Sequence, residues 1–310
     1  MSQAGVASLE SLPEILAAPR PLPRLRLRVL VTGASGMLGT DLVPALAGAG
    51  CDVFARPRAD LDITSERDVA VAFREARPQV VVNCAAFTKV DACETDPRAF
   101  EVNAGGVEIL AGQCAIHSAR LVQVSTDFVF DGAKAAPYRE DDPPVPLSAY
   151  GRSKRRGEEA ALRLPGALVL RASWLFGRGG WNFVEAIRRQ IDGGRRTLTV
   201  VDDQRGRPTS TVDLSEAVLA LLDQGAAGIY HFANRGEVSW FEFAREIVAL
   251  SGDPDVEVLP IDSATLARPA RRPAYSVLDT GKYEESTGRP IRHFREPLAE
   301  YLSGRETPVA

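Results

Sequence analysis

Between positions 27 and 173 the chain alternates short apolar runs, rich in β-branched residues, with longer segments whose apolar positions recur every three or four residues. The runs at 27–32, 52–55, 80–84, 121–126 and 167–173 read as strands. Helical patterns pass through Leu42, Leu46 and Ala47, begin at Ser65 with Asp68 three residues on, extend from about 97 to 118, and carry Tyr150 and Lys154. Strict strand–helix alternation predicts an α/β chain with a doubly wound parallel sheet of about six or seven strands. A glycine turn then falls at the carboxyl end of the first strand. After Ser173 the pattern is smaller in scale and less regular. There Ser239-Trp240-Phe241-Glu242 has the form of a capping box and opens a helix with Phe243, Ile247 and Leu250 on its apolar side.

Composition narrows the picture. A chain of 310 residues, 45% hydrophobic and 25% charged, is globular and long enough for one large or two modest domains. Its formal net charge of -4 gives no general attraction to nucleic acid or to an anionic membrane. The apolar stretch 29–50 is interrupted by Thr32, Ser35, Thr40, Asp41 and several glycines, so it does not read as a membrane span. Cys51, Cys84, Cys93 and Cys114 lack zinc-ligand spacing and are expected to be reduced thiols of a cytoplasmic protein. His117, His231 and His293 are scattered and suggest no metal site. Residues 1–25, with Pro13, Pro19, Pro21 and Pro23 and basic residues after the apolar part, read as a flexible leader rather than a signal peptide.

Candidate chemistry gathers where predicted strands end. Gly33-Ala34-Ser35-Gly36-Met37-Leu38-Gly39 joins the first strand to the first helix, and its glycines let backbone N–H groups approach a pyrophosphate. Arg56 and Arg58 follow the second strand, where they suit a ribose 2′-phosphate; a solvated basic loop is the plain alternative. Asn83-Cys84-Ala85-Ala86 closes the third strand with small side chains that leave room for a flat ligand. Asn103 reads as a solvated or capping residue. Ser125 and Thr126 end the fourth strand, at the edge where open parallel sheets bind ligands, and either could instead cap the loop locally. Tyr150 and Lys154 stand four residues apart on one helical face, so a phenol and an ammonium can share a small site. An ammonium beside the phenol would favour the phenolate and lower its pKa. Trp174, Trp181 and Trp240 are the kind of residue found in cores more often than against ligands. Arg271 and Arg272 sit in a proline-bounded loop and could fork onto a diphosphate.

Taken together, these strings resemble the extended short-chain dehydrogenase/reductases and, within them, the dTDP-4-dehydrorhamnose reductase family. The resemblance also covers Thr88-Lys89-Val90-Asp91 with Glu94, Ser125 to Phe130, Ser173 to Gly177, Asn182-Phe183, Asp203-Gln204 with Gly206, Pro208-Thr209, and Arg271-Arg272-Pro273 with Ser276 and Leu278. It implies a Rossmann-type NAD(P)-binding core over 26–172 and a smaller, mainly substrate-binding α/β lobe over 173–310 with segments returning to the core. Thr126, Tyr150 and Lys154 are the implied catalytic trio. The implied cofactor residues are Gly33, Ser35, Gly36, Met37, Leu38, Gly39, Arg56, Asp62, Ile63, Cys84, Ala85, Ala86, Thr88, Asn103 and Ser125, with Tyr150 and Lys154. The implied substrate residues are Val90, Asp91, Thr126, Asp127, Phe128, Trp174, Asn182, Arg207 and Arg272. The expected reaction is reduction of the 4-keto group of a dTDP-4-keto-6-deoxy sugar, with NADP(H) preferred over NAD(H). The family resemblance leaves two alternatives open: another nucleotide-sugar ketoreductase or epimerase, and a non-catalytic partner similar to the regulatory subunit of methionine adenosyltransferase. Sugar-nucleotide dehydratases share the fold but resemble Ser-Thr-Asp-Glu at this strand end, and Phe128 cannot serve as that base. Two departures stand out: Phe128 where many members have tyrosine, and Asp41 where some have a glutamate that binds magnesium at a dimer contact. The shorter carboxylate leaves magnesium and a homodimer open, with a solvated first-turn acid as the plain reading of Asp41.

Overall fold

The computed structural model describes residues 23–304, so the expected leader lies outside the described residues apart from 23–25. Along the first half run β1 (Arg28–Thr32), α1 (Met37–Gly48), β2 (Asp52–Arg56), α2 (Glu66–Ala76), β3 (Val80–Asn83), α3 (Arg98–Phe100), α4 (Gly106–His117), β4 (Arg120–Thr126), α5 (Ala149–Leu162) and β5 (Leu168–Ala172). The second half contributes β6 (Leu175–Phe176), α6 (Phe183–Asp192), β7 (Thr197–Val201), β8 (Arg205–Gly206), β9 (Thr209–Ser210), α7 (Thr211–Asp223) and β10 (Gly228–Phe232). It ends with β11 (Val238–Ser239), α8 (Trp240–Ser251), β12 (Glu257–Ile261), α9 (Gly281–Thr287) and α10 (Arg295–Ser303).

Six strands form one parallel sheet in the order β10-β5-β4-β3-β1-β2. Its sixth strand, β10, comes from beyond the predicted alternation. Along β1 the side chains divide by a period of two: Val29 and Val31 enter a core with Leu42 and Leu46 of α1 and Leu214 and Val218 of α7. Leu30 enters the opposite core with Phe73 of α2, Leu110 of α4 and Ala161 of α5. Helices therefore cover both faces, which is why the strands are near-continuous apolar runs. The chain leaves β1 for β2 on one side and returns to β3 on the other, a reversal that opens a crevice above the carboxyl ends of β1 and β3. A third core is built by Phe176, Val184, Ile187, Phe243, Ile247, Phe294 and Leu298, all from the second half.

Local signals account for several boundaries. The Ser65 hydroxyl caps α2 by accepting from Asp68 N, and Ser239 with Glu242 makes the reciprocal capping box on α8. The helix expected from about 97 to 118 is instead interrupted by a π-turn at Glu101–Gly105 between α3 and α4. Asn103 lies in that turn. A π-turn puts an extra residue into the helix and turns a side chain that periodicity would leave outside, and such turns concentrate at functional sites.

Candidate active site

The amino end of α5 is pressed against the turn that follows β4. A Cβ on Gly151 would lie 2.2 Å from the Phe128 carbonyl oxygen, so only glycine allows this approach. Ser148 caps the helix by accepting from Gly151 N at 3.1 Å, and Glu94 accepts from Ala149 N at 2.8 Å. Tyr150 is thereby set with its ring edge on Phe128, centroids 5.7 Å apart at 74°. Thr126, buried at the end of β4, donates to Asp127 Oδ1 at 3.0 Å and accepts from Phe128 N at 3.2 Å.

Burial pushes the Tyr150 phenol well above its ordinary range, with the Thr126 hydroxyl beside it a partial offset. The phenol therefore keeps its proton at neutral pH. Lys154, expected beside the phenol, has a buried ammonium that donates to the Val124 carbonyl at 2.7 Å. Burial lowers the Lys154 pKa to about 8, opposed by the Glu158 carboxylate one turn on and by Cys84. A lysine that titrates there carries its charge at neutral pH and sheds it under mildly alkaline conditions. We expect kcat/KM, with NADPH limiting, to fall as pH rises through about 8, because that parameter reports the free enzyme. A profile flat from roughly pH 7 to 9 would exclude a role for the Lys154 charge. Stability responds in the other sense: above about 8 the unfolded chain binds the extra proton, so this group's penalty on the folded state eases as pH rises toward 10.5.

Behind the trio lies a buried polar network. Glu158 accepts a fork from Arg171, Nε to Oε1 at 2.9 Å and Nη2 to Oε2 at 2.7 Å, and a third bond from Ser125 Oγ at 2.5 Å. Arg171 Nη1 lies 3.3 Å from His231 Nε2, whose ring is held on its other side by Nδ1 against the Tyr138 carbonyl at 3.1 Å. A carbonyl only accepts, so Nδ1 carries the hydrogen and Nε2 presents its lone pair to the guanidinium. Burial, reinforced by Arg171, pushes His231 down to about 3, and the ring is neutral. Ser125, expected to meet a cofactor, is thus engaged inward. Glu158, Arg171 and His231 were not picked out from the sequence, although Glu158 continues the Tyr150–Lys154 stripe by one further turn.

The glycine turn fits a dinucleotide. Gly33 has φ +63°, and a Cβ there would lie 2.7 Å from Ala85 N, so the turn rests directly on the small residues ending β3. A Cβ on Gly39 would lie 2.5 Å from the Ala34 carbonyl. No side chain caps α1 and no acidic residue occupies its first turn, which leaves its leading N–H groups free for an anion. Ser35, Gly36, Met37 and Leu38 lie in the same turn and the start of α1, and Ala86 follows Cys84 and Ala85 at the β3 end. Arg56 ends β2 and pairs with Glu75 at 2.8 Å. Asp62 is exposed and accepts from both Thr64 N and Thr64 Oγ1, whereas Ile63 is buried. Asn103 is neither solvated nor a cap. It is buried, brackets the Phe87 backbone by accepting from N at 2.8 Å and donating to O at 3.0 Å, and donates to Ser153 Oγ at 3.0 Å. It ties the loop after β3, including exposed Thr88, to α5.

The expected substrate residues divide into two groups. Asp127 is buried with Oδ2 unpartnered, and burial raises its carboxyl to about 6, against the Ser276 and Thr126 hydroxyls that lower it. Arg207 donates Nη1 to the Leu278 carbonyl at 3.0 Å and leaves a buried Nε without a partner. Buried groups of this kind take further bonds from water or from a ligand. Trp174 stacks on Trp240, while Val90 is half-buried in the loop after β3. Other candidates are already engaged. Asn182 caps α6 and donates to the Gly177 carbonyl at 3.0 Å. Arg272, read as a diphosphate fork, forks onto Asp91 at 3.1 and 2.9 Å. Asp41 lies beyond the first turn of α1 and accepts from the Thr211 hydroxyl, which replaces the solvated first-turn acid expected from the sequence.

A glycine turn over the β1–β3 crevice, with a hydroxyl, a phenol and a buried ammonium near the adjoining strand ends, is the arrangement of a nucleotide-dependent oxidoreductase on a Rossmann-type sheet. A family model described as the RmlD substrate binding domain matches residues 27–306. The chain belongs to that family. It is 45% identical over 291 residues to a dTDP-4-dehydrorhamnose reductase of Streptomyces griseus, covering 91% of this chain and 94% of the relative. A dTDP-4-keto-6-deoxy-D-glucose reductase of Streptomyces niveus is 42% identical over 276 residues, covering 88% and 96%. Among solved structures, dTDP-4-dehydrorhamnose reductase from Bacillus anthracis in complex with NADP superposes with a TM-score of 0.87 at 34% identity, covering 90% of this chain and 100% of that one.

Proposed function

We propose that this chain reduces the 4-keto group of a dTDP-4-keto-6-deoxy sugar, dTDP-4-dehydrorhamnose in the first instance, in nucleotide-sugar biosynthesis. The observation that carries the reading is the Tyr150 phenol set beside the Thr126 hydroxyl at the end of β4, next to the strand whose small residues support the glycine turn. NADPH, held by the turn 33–39 and the small residues after β3, supplies the hydride that reduces C4. The Tyr150 phenol gives its proton to the carbonyl oxygen, so the ketone gains a hydride and a proton and leaves as an alcohol. Thr126 turns its hydroxyl from Asp127 toward the same oxygen and orients it. Lys154, charged below about pH 8, exchanges its bond to Val124 for the nicotinamide ribose and returns a positive field to the phenolate left behind. Residues after Ser173, with Arg207 foremost, receive the sugar nucleotide in a mainly substrate-binding lobe. We place the reaction in the cytoplasm. Every group the mechanism uses belongs to one chain, and it routes no step through magnesium.

The test is incubation with dTDP-4-dehydrorhamnose and NADPH and identification of the product by mass spectrometry and NMR. The expected outcome is stoichiometric NADPH loss with formation of dTDP-rhamnose, and an unchanged substrate would refute the reading. The relatives of comparable identity name two different sugars, so dTDP-4-keto-6-deoxy-D-glucose is the informative second substrate.

Cofactor preference follows from Arg56. With a 2′-phosphate present, its guanidinium is shared between phosphate and Glu75, and the phosphate bond is charge-assisted. NADPH should bind more tightly than NADH, and Arg56→Ala should narrow the gap by on the order of 1 kcal/mol or more. Equal affinities in the unmodified protein, measured by calorimetry, would exclude this role.

A further inference from the structure

Among the described residues, five other than glycine have positive φ: Arg26, Arg77, Ser118, Trp174 and Ala267. Arg77, Ser118 and Ala267 are helix C-caps, where a left-handed residue satisfies the last carbonyls. Arg26 precedes β1, and Trp174, at φ +48°, likewise caps no helix. It lies between β5 and β6, two residues beyond Ala172, and Ala172 is the register partner of Thr126. The strained residue therefore stands at the sheet edge that holds the trio. A left-handed conformation is costly for a bulky side chain and persists only where the surroundings over-determine it, most often at ligand sites.

Three contacts hold it. Its carbonyl accepts from Thr209 N at 3.1 Å, and the preceding Ser173 donates Oγ to the Arg207 carbonyl at 2.7 Å, fixing the main chain on both sides. Gly206 lies so near the indole that a Cβ there would come within 2.5 Å. The third contact is Trp240, whose ring is stacked on that of Trp174 with centroids 3.5 Å apart and planes 5° from parallel. Trp240 is itself immobilised: it is the first residue of α8 behind the Ser239–Glu242 capping box, and its ring meets Phe183 at 4.6 Å. The third core is thus connected through one ring to the edge of the catalytic sheet.

We propose that Trp240 is a positioning residue that holds Trp174 in its strained conformation as a preformed wall of the sugar-nucleotide cleft. The inference rests on the nucleotide-sugar reading given above. Without the stacked partner the strain at Trp174 can relax, and the ligand must then reorder the wall as it binds, so affinity falls while the hydride and proton chemistry at Tyr150 is intact. Neither indole is among the residues assigned to the cofactor, so NADPH affinity is expected to hold.

The experiment compares Trp240→Leu, which is apolar but cannot stack, with Trp240→Phe, which can. Two indoles stacked in parallel planes couple excitonically, with a circular-dichroism couplet whose size follows the twist between the rings and which neither variant can show. Binding of dTDP-rhamnose, measured by calorimetry without turnover, should weaken about tenfold in Trp240→Leu and about threefold or less in Trp240→Phe, in keeping with an aromatic stack. NADPH affinity should match the unmodified protein in both. A Trp240→Leu protein that has lost the couplet yet binds dTDP-rhamnose as tightly as before overturns the proposal. Should Trp240→Leu fail to fold, the unmodified protein decides: the couplet of a preformed wall should survive saturation with dTDP-rhamnose and with NADPH alike, and a couplet that dTDP-rhamnose abolishes overturns it. Absence of any dTDP-rhamnose binding by the unmodified protein is a separate result that removes the nucleotide-sugar reading and this inference with it.

Discussion

Tyr150→Phe should lower the rate of NADPH oxidation in a single turnover by roughly 10²- to 10⁴-fold, the range of a lost general acid, while leaving folding and NADPH affinity in place. The ring would keep its edge contact with Phe128, and the Ser148 cap on α5 is independent of the hydroxyl, so the local structure has no reason to change. What is lost is the phenolic proton that the mechanism delivers to the carbonyl oxygen. Hydride arrival at the carbonyl would then leave an alkoxide with only the Thr126 hydroxyl beside it. Thr126→Val should cost less, since the acid remains. Lys154→Met should damage both turnover and cofactor affinity, because the ammonium is proposed to serve both. If Tyr150→Phe reduces the keto sugar at the unmodified rate, the phenol is not the acid and the mechanism is wrong.

Glu158→Ala should produce the largest loss of stability, about 3–5 kcal/mol, because it strands the Arg171 guanidinium in the interior. Among the described residues the carboxylate is the one acidic partner of Arg171, which is fully buried, stacks 5.0 Å from the Phe130 ring, and also meets the neutral His231. The melting midpoint should drop by roughly 10 °C. Glu108→Ala, which breaks an exposed pair with Arg163, should leave the midpoint where it is. The double change Glu158→Leu with Arg171→Met should recover much of the loss, since replacing both charges removes the desolvation penalty. A Glu158→Ala protein as stable as the unmodified one would show that water reaches Arg171 and that the network is not a closed interior pair.

The sequence-to-structure comparison separates along a physical line. Period-two and period-3.6 patterns depend on neighbours a few residues away, and they located β1 to β5 and the helices between them. They also put Tyr150 and Lys154 on one face, and small residues at the glycine turn and after β3. Interactions between distant segments left weaker traces. The strand β10 is five residues from a region of irregular pattern, and only pairing with β5 makes it part of the sheet. Asn103 read as a surface residue because periodicity assumes an uninterrupted helix, and the π-turn turned it inward onto Phe87 and Ser153. Asp91 and Arg272 were each read as meeting substrate, yet 181 positions apart they meet each other.

By itself, then, the sequence determined the class of fold, and through its family resemblance it singled out the glycine turn and the proposed acid, hydroxyl and lysine. Only the tertiary structure decided the states of those groups. Desolvation moves the Tyr150 phenol upward and the Lys154 ammonium down to about 8, and the ammonium reaches the Val124 carbonyl. The stacking of Trp174 on Trp240 and the Ser125–Glu158–Arg171–His231 network were also decided there. Burial and long-range pairing are properties of the whole packed chain, and electrostatics follows the surroundings of a group rather than its neighbours in sequence.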